Sequence, residues 1–203
     1  MRILFACIFI GLGWSTFSQL NVDSLSHISY QQLHGANLND VWGYEDEMGN
    51  EYAIVGTSKG TSIVDISNPS SPVEIFWIPG TESIWRDPCV YGDYAYVTTE
   101  ADDGLLIIDL SPLPQSTNLP TSVYMGPPGQ TWTSAHTCFC DSQGFTYIFG
   151  SNRGNGGVII LDVATGTGDV AILTHKLIVP KHITGVDISE GMLAEGRKKI
   201  AAL

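Results

Sequence analysis

The sequence predicts an all-β fold, a β-propeller of four-stranded blades with about three blades present and a short helical C-terminal tail. One observation is a phrase written three times. It reads Tyr52-Ala53-Ile54-Val55-Gly56 then Gly60-Thr61-Ser62-Ile63-Val64-Asp65, next Tyr94-Ala95-Tyr96-Val97-Thr98 then Gly104-Leu105-Leu106-Ile107-Ile108-Asp109, and finally Tyr147-Ile148-Phe149-Gly150 then Gly157-Val158-Ile159-Ile160-Leu161-Asp162. Each copy is a tyrosine-led run of β-formers, a glycine turn and an apolar run closed by aspartate, the pattern of a hairpin. A second observation is spacing: the closing aspartates stand 44 (109 − 65) and 53 (162 − 109) residues apart, which suits one blade per copy rather than a helical solenoid. The third is composition, since 22 Gly, 10 Pro and 43% hydrophobic residues among 203 describe a turn-rich β chain.

Residues 1–18 read as a secretory signal peptide. Met1-Arg2 precedes the uncharged apolar run Ile3 to Gly13, and Thr16 and Ser18 fit the small-residue cleavage positions before Gln19. That run is too short to span a bilayer, so no membrane span is expected in the mature chain. Residues 19–37 are a polar lead-in that lends a strand or covers an edge.

The blades lie at about 38–80, 85–128 and 135–179. Blade one takes Asn39 to Tyr44 as its inner strand, then Glu51 to Thr57, Thr61 to Ile66 and Val73 to Ile78. Proline brackets the last of these, as an outer edge tolerates missing amide donors. Blade two runs Asp87 to Tyr91, Asp93 to Thr99, Gly104 to Leu110 and Thr121 to Met125. Blade three runs His136 to Cys140, Thr146 to Ser151, Gly157 to Val163 and Val170 to Leu177. Gly92-Asp93, Asp103-Gly104 and Asn155-Gly156-Gly157 mark the hairpin turns. Third strands such as Leu105 to Ile108 are apolar on both faces, as strands sandwiched between blades must be. From about 180 to 203 the repeat pattern stops, and Ser189 to Leu203 reads as a helix rather than a fourth blade. Stacked repeats bury their faces only against neighbours, so three blades imply an incomplete propeller prone to self-association.

Charge narrows the partners. Leu20 to His175 holds 18 acidic residues against Lys59, Arg86 and Arg153, whereas Lys176 to Leu203 holds five basic and three acidic. With Arg2 these give the net charge of −12. Such a body excludes nucleic acid as a partner, because phosphate contacts need clustered Lys and Arg, and it suits an extracellular surface. Cys7 leaves with the signal peptide. Cys89, Cys138 and Cys140 remain and read as small buried residues, their disulfide state left open.

Several of these stretches together resemble the LVIVD-repeat proteins of the choice-of-anchor B family. They are Leu38 to Tyr44, Glu51 to Gly56, Trp85-Arg86-Asp87, Tyr94 to Val97 with Glu100-Ala101, and Gly156-Gly157 before Val158 to Asp162. Leu105 to Asp109 nearly spells the repeat name. The resemblance covers about Leu25 to Val179 and implies a secreted or surface-tethered bacterial β-propeller, usually longer than this chain. It brings no established reaction.

Aligning the copies by their tyrosines places Asp40, Asp87 and His136 at equivalent positions, each opening an innermost strand. Propeller channels are lined by such strands, so these side chains, with Arg86 and Glu100, are the candidate binding residues at a channel mouth. Asp, Asp and His form an acid–base or metal set; the same residues equally serve as strand-end caps. Arg86 either pairs a buried carboxylate or binds an anionic group. Asp102-Asp103-Gly104 beside Glu100 is the one feature that looks like part of a calcium loop, and a hairpin turn explains it as well. No cofactor, catalytic residue or metal ligand is otherwise indicated, since no G-x-S-x-G, H-E-x-x-H, P-loop or dinucleotide signature is expected in the sequence. The expected function is a secreted or cell-surface binding, adhesion or scaffold module for an extracellular protein or glycan, with rim aromatics such as Trp132 or Trp85. The alternative is an extracellular hydrolase or lyase with a polar or metal site at the channel mouth.

Overall fold

The computed structural model describes residues 23–153, 157–163, 184–186 and 197–198. The signal peptide, the expected blade-three strand Val170 to Leu177 and most of the expected C-terminal helix lie outside the described residues; Arg197 and Lys198 are helical.

Three four-stranded sheets hold the described strands. The first is β1 (Leu38–Glu45), β2 (Glu51–Thr57), β3 (Gly60–Asp65) and β4 (Val73–Pro79), in that spatial order. The second is β5 (Arg86–Tyr91), β6 (Tyr94–Thr99), β7 (Leu105–Asp109) and β8 (Thr121–Tyr124), again in sequence order. Both are antiparallel meanders, as the hairpin turns predict, with Tyr52 opposite Asp65 and Tyr94 opposite Asp109. The third is β9 (Thr137–Cys140), β10 (Phe145–Phe149), β11 (Val158–Val163) and β12 (Thr184–Val186). Its first three strands repeat the antiparallel order, but β12 lies parallel to β11, with Leu161 opposite Thr184 and Val163 opposite Val186. This last strand falls in the tail from about 180, where the repeat pattern stops, and precedes the stretch Ser189 to Leu203 read as a helix.

The inner strands are neighbours, β1 against β5 and β5 against β9, which stacks the sheets as consecutive blades. Two apolar clusters fill the seams. Ile54 and Ile63 of the first sheet meet Ala95, Val97 and Ile108 of the second, while Tyr96, Leu105 and Ile107 turn the opposite way onto Ile148, Leu161 and Val163 of the third. The period-two alternation of β6 and β7 therefore serves both seams, and each fully buried aliphatic side chain contributes about 1.5–3 kcal/mol of transfer free energy. Val41 and Trp42, on opposite faces of β1, are exposed.

The lead-in covers an edge. Leu33 and Ala36 are buried, His34 stacks on Trp77 of β4 at 4.0 Å and bonds Glu74 at 2.9 Å, and the Ser26 hydroxyl donates to the Pro69 carbonyl. The aspartates that close third strands bond turn amides: Asp65 accepts from the Ser67 N–H at 2.9 Å and Asp109 from the Ser111 N–H at 3.0 Å. Sequence pattern alone does not account for the tyrosines. Tyr52 donates to Asp46 at 3.0 Å and Tyr147 to Asp141 at 2.8 Å, and each aspartate also accepts backbone N–H groups two and four residues on. The two devices share one spacing, an aspartate six residues before the tyrosine.

Candidate binding site at the inner strand ends

Asp87, near the start of β5, is where three blades meet electrostatically. Burial raises its carboxyl above the ordinary aspartate value; a hydrogen bond with Thr137 and the His136 charge pull it down, while Asp40 and Glu100 push it up. A half-buried carboxyl that senses Asp40 from β1 and His136 at the start of β9 lies between both neighbouring blades. Asp40, His136 and Glu100 thus all act on the charge of Asp87.

The rim of this cluster is polar and aromatic. His136 bonds Glu100 through Nδ1 at 2.7 Å, with both side chains about half exposed. Trp85, exposed, stands edge-on to the His136 ring at 5.4 Å. An exposed ion pair of this kind adds little stability, so its consequence is orientation: Glu100 fixes the imidazole, and the imidazole and indole form one wall. Of the two expected rim aromatics, only Trp85 is at the rim. Trp132 is buried in the seam between the second and third sheets, because its backbone N–H is bonded to the Met125 carbonyl and its ring packs into that apolar cluster.

Arg86 is a strut. It is 2% exposed, and its Nε donates to the Thr57 carbonyl at 3.0 Å and an Nη to the Thr81 carbonyl at 2.7 Å, with Asp103 at 3.8 Å. Burial lowers its basicity, and Asp103 opposes that. It alternates with Asp87 along β5 and so points to the other face of the strand. The sequence makes room for it: a Cβ on Gly56 would collide with the Arg86 carbonyl oxygen, and one on Gly80 would come within 2.9 Å of the guanidinium. These contacts tie the end of β2, the linker between the sheets and the β6–β7 turn together, which is structural pairing.

Asp102 and Asp103 diverge. Asp102 accepts from the Thr133 hydroxyl at 2.8 Å, whereas Asp103 accepts from the Thr81 N–H and hydroxyl at 2.8 and 2.6 Å. Each ties the β6–β7 turn to a different neighbouring segment, so they do not form a calcium loop. Among the described residues, no group of three or more His, Cys, Asp or Glu side chains is arranged to hold a metal ion, and no helix is long and apolar enough to cross a membrane.

Comparison with known families fits the first two sheets. The LVIVD repeat model matches residues 47–78 and 85–119, from the β1–β2 turn to within one residue of the end of β4, and from just before β5 through β7. These two segments are LVIVD repeats. A second model, that of a methyltransferase domain, matches residues 160–203 and so begins inside β11. The chain is 56% identical over 41 residues to a demethylmenaquinone methyltransferase of Bacteroides fragilis, covering 20% of this chain and 17% of that protein. It is 58% identical over 43 residues to a ubiquinone/menaquinone biosynthesis C-methyltransferase of Geobacter sulfurreducens, covering 21% and 17%. The chain thus spans under a fifth of the length of these curated relatives. No solved structure matches it significantly.

The methyltransferase match points to residues that reading the blades by their pattern passes over. Gly166-Thr167-Gly168-Asp169-Val170-Ala171 comes after β11 and has the G-x-G-x-x-A form of a dinucleotide-binding turn, and Asp187 directly follows β12. Taking Val170 to Leu177 as a fourth strand of blade three splits this run and hides its glycine spacing.

Proposed function

We propose that the LVIVD-repeat segment is a non-enzymatic binding module of a secreted or cell-surface protein, and that it takes cationic side chains of a partner protein at the mouth formed by Asp40, Asp87 and Glu100. The observation that carries this reading is the convergence of those carboxylates beside an exposed indole. Carboxylates drawn from three segments of an acidic body attract a cation from a distance, and Trp85 offers a ring face for cation–π contact once it arrives. Affinity for an oligolysine peptide should fall with rising salt, and Asp87→Asn with Glu100→Gln should abolish it. Binding unchanged in that double variant, or insensitive to salt, would contradict the reading. The runner-up, a hydrolase or lyase at the same mouth, draws on the raised carboxyl of Asp87 beside His136, since perturbed acids cluster at catalytic sites. Turnover of a panel of esters and glycosides that disappears in Asp87→Asn would favour it instead.

A second reading attaches to the chain from residue 160. Parallel strands need a crossover connection, usually helical, and β11, the glycine-rich sequence 166–171, β12 and Asp187 follow one another in the order of a nucleotide-binding β-α-β unit. This supports a methyltransferase-like segment in which Gly166 and Gly168 approach a nucleotide and Asp187 accepts from its ribose. Equilibrium dialysis with an adenosine nucleotide tests it: binding lost in Asp187→Ala supports the assignment, and no binding to the parent chain removes it.

A further inference from the structure

Cys89, at the middle of β5, and Cys138 and Cys140, on one face of β9, meet in the seam between the second and third sheets. All three are buried free thiols, with Cys89 Sγ 2.9 Å from Cys140 Sγ and 3.2 Å from Cys138 Sγ. These separations decide what the cluster is for. Thiolates around a tetrahedral zinc, each about 2.3 Å from the metal, stand roughly 3.7 Å from one another, so sulfurs at 2.9 and 3.2 Å leave no room for an ion between them. They are also closer than ordinary sulfur contact, and the remaining step to a covalent bond needs only a small movement of two side chains.

We propose that Cys89 and Cys140 form a disulfide that locks the second sheet to the third, with Cys138 left as a free thiol beside it. Cys89 is the shared partner because it lies within reach of both others, while Cys138 and Cys140 are i, i+2 on one strand and side by side rather than facing. Surroundings distinguish the two candidates. Cys138 also makes contacts of 3.3 and 3.5 Å with the Asp87 and Tyr96 carbonyl oxygens. Cys140 bonds the Thr146 hydroxyl at 3.2 Å. The hydrogen bond with Cys89 lowers Cys140's thiol, against burial and with help from Thr146, whereas Cys89's contacts with Cys138 and Cys140, and then burial, push its own thiol up.

The chemistry balances with a small-molecule disulfide as oxidant. While the seam is still open, the Cys140 thiolate attacks one sulfur of the oxidant, breaking its S–S bond and releasing one thiolate. Cys89 then loses its proton and attacks the Cys140 sulfur, expelling the second thiol. Two cysteine thiols are oxidised, one disulfide is reduced to two thiols, and the seam closes over the product. The loop it closes is 51 residues long, so oxidation should raise the midpoint of thermal unfolding by roughly 10 °C over the reduced chain.

The test is to fold the full chain with glutathione disulfide, block free thiols under denaturing conditions and map the linked peptides by mass spectrometry. The expected result is one Cys89–Cys140 cross-link with Cys138 alkylated. Cys138→Ser should keep the bond, Cys140→Ser should move it to Cys138, and Cys89→Ser should leave Cys138 and Cys140 both alkylated. The mapping of the parent chain stands without the variants should any of them fail to fold. Three alkylated cysteines there, a Cys138–Cys140 link, or an exclusive Cys89–Cys138 link would each overturn the proposal.

Discussion

β7 and β11 are written almost alike and occupy the same place in consecutive sheets, yet the chain leaves them in different ways. Leu105-Leu106-Ile107-Ile108-Asp109 and Val158-Ile159-Ile160-Leu161-Asp162 are both apolar runs ended by aspartate, and both pair antiparallel with the tyrosine-led strand before them. After Asp109 the carboxylate bonds the Ser111 amide, and the chain returns as β8, antiparallel. After Val163 the next described strand, β12, runs parallel. A short β-branched run specifies a buried strand but not its connection, and the residues beyond the aspartate decide between a meander and a crossover.

The largest effects that test this comparison come from the fully buried side chains on the two strands. Ile108→Ala and Leu161→Ala, both 0% exposed, should each cost about 2–5 kcal/mol in urea unfolding. A Leu161→Ala chain whose main transition does not move would detach β11 from the unit that holds β7. Next come the seams, one closed by a polar strut and the other by thiols. Arg86→Ala strips the partner from the buried Thr57 carbonyl and from the Thr81 carbonyl, and should cost about 2–4 kcal/mol. Arg86→Lys should recover little of it, because an ammonium cannot span the same fork.

Smaller effects are expected where the first and third sheets use the same device. Tyr52→Phe and Tyr147→Phe should each lose about 1–2 kcal/mol, and by similar amounts if the two turns are equivalent. Burial pushes Asp46 and Asp141 up, but the hydrogen bonds from Asn50, Tyr52 and Met48 in one and from Phe145, Tyr147, Gln143 and Gly144 in the other outweigh it, so both lie below the ordinary aspartate value. Their stabilisation is present above the unfolded value of about 3.9 and is lost as pH falls through the lowered folded values. Asp87 has the opposite sign. Its raised carboxyl stabilises the fold below the unfolded value, and that contribution is lost as pH rises through the folded value, so Asp87→Asn should flatten the decline on the neutral side. Unfolding free energy measured across pH separates the two.

Much of the propeller was legible because its signals are local and repeated. Tyrosine-led strands, glycine turns and closing aspartates located eleven strands to within a residue or two, and the inner-strand alignment singled out Asp87, whose carboxyl senses Asp40 and His136. Arg86 stands out for its rarity in an acidic body, but only the close approach of Gly56 and Gly80 shows that it ties sheets together. Trp132 was misplaced because burial of a loop aromatic depends on which neighbour covers it. The contact of Cys89 with two cysteines about 50 residues away depends on how neighbouring sheets stack, which strand patterns do not encode. β12 and the G-x-G-x-x-A sequence escape the pattern for one reason: a blade template leads to looking for an antiparallel fourth strand.

The convergence of three blades on Asp87 is tested most directly by following its carboxyl carbon by NMR through a pH titration, in the parent chain and in two variants. Asp40→Asn removes a charge that pushes Asp87 up and should lower its midpoint; His136→Gln removes one that pulls it down and should raise it. Opposite shifts from the first and third blades are the predicted result. An Asp87 midpoint that neither substitution moves would contradict the convergence and the binding mouth built on it.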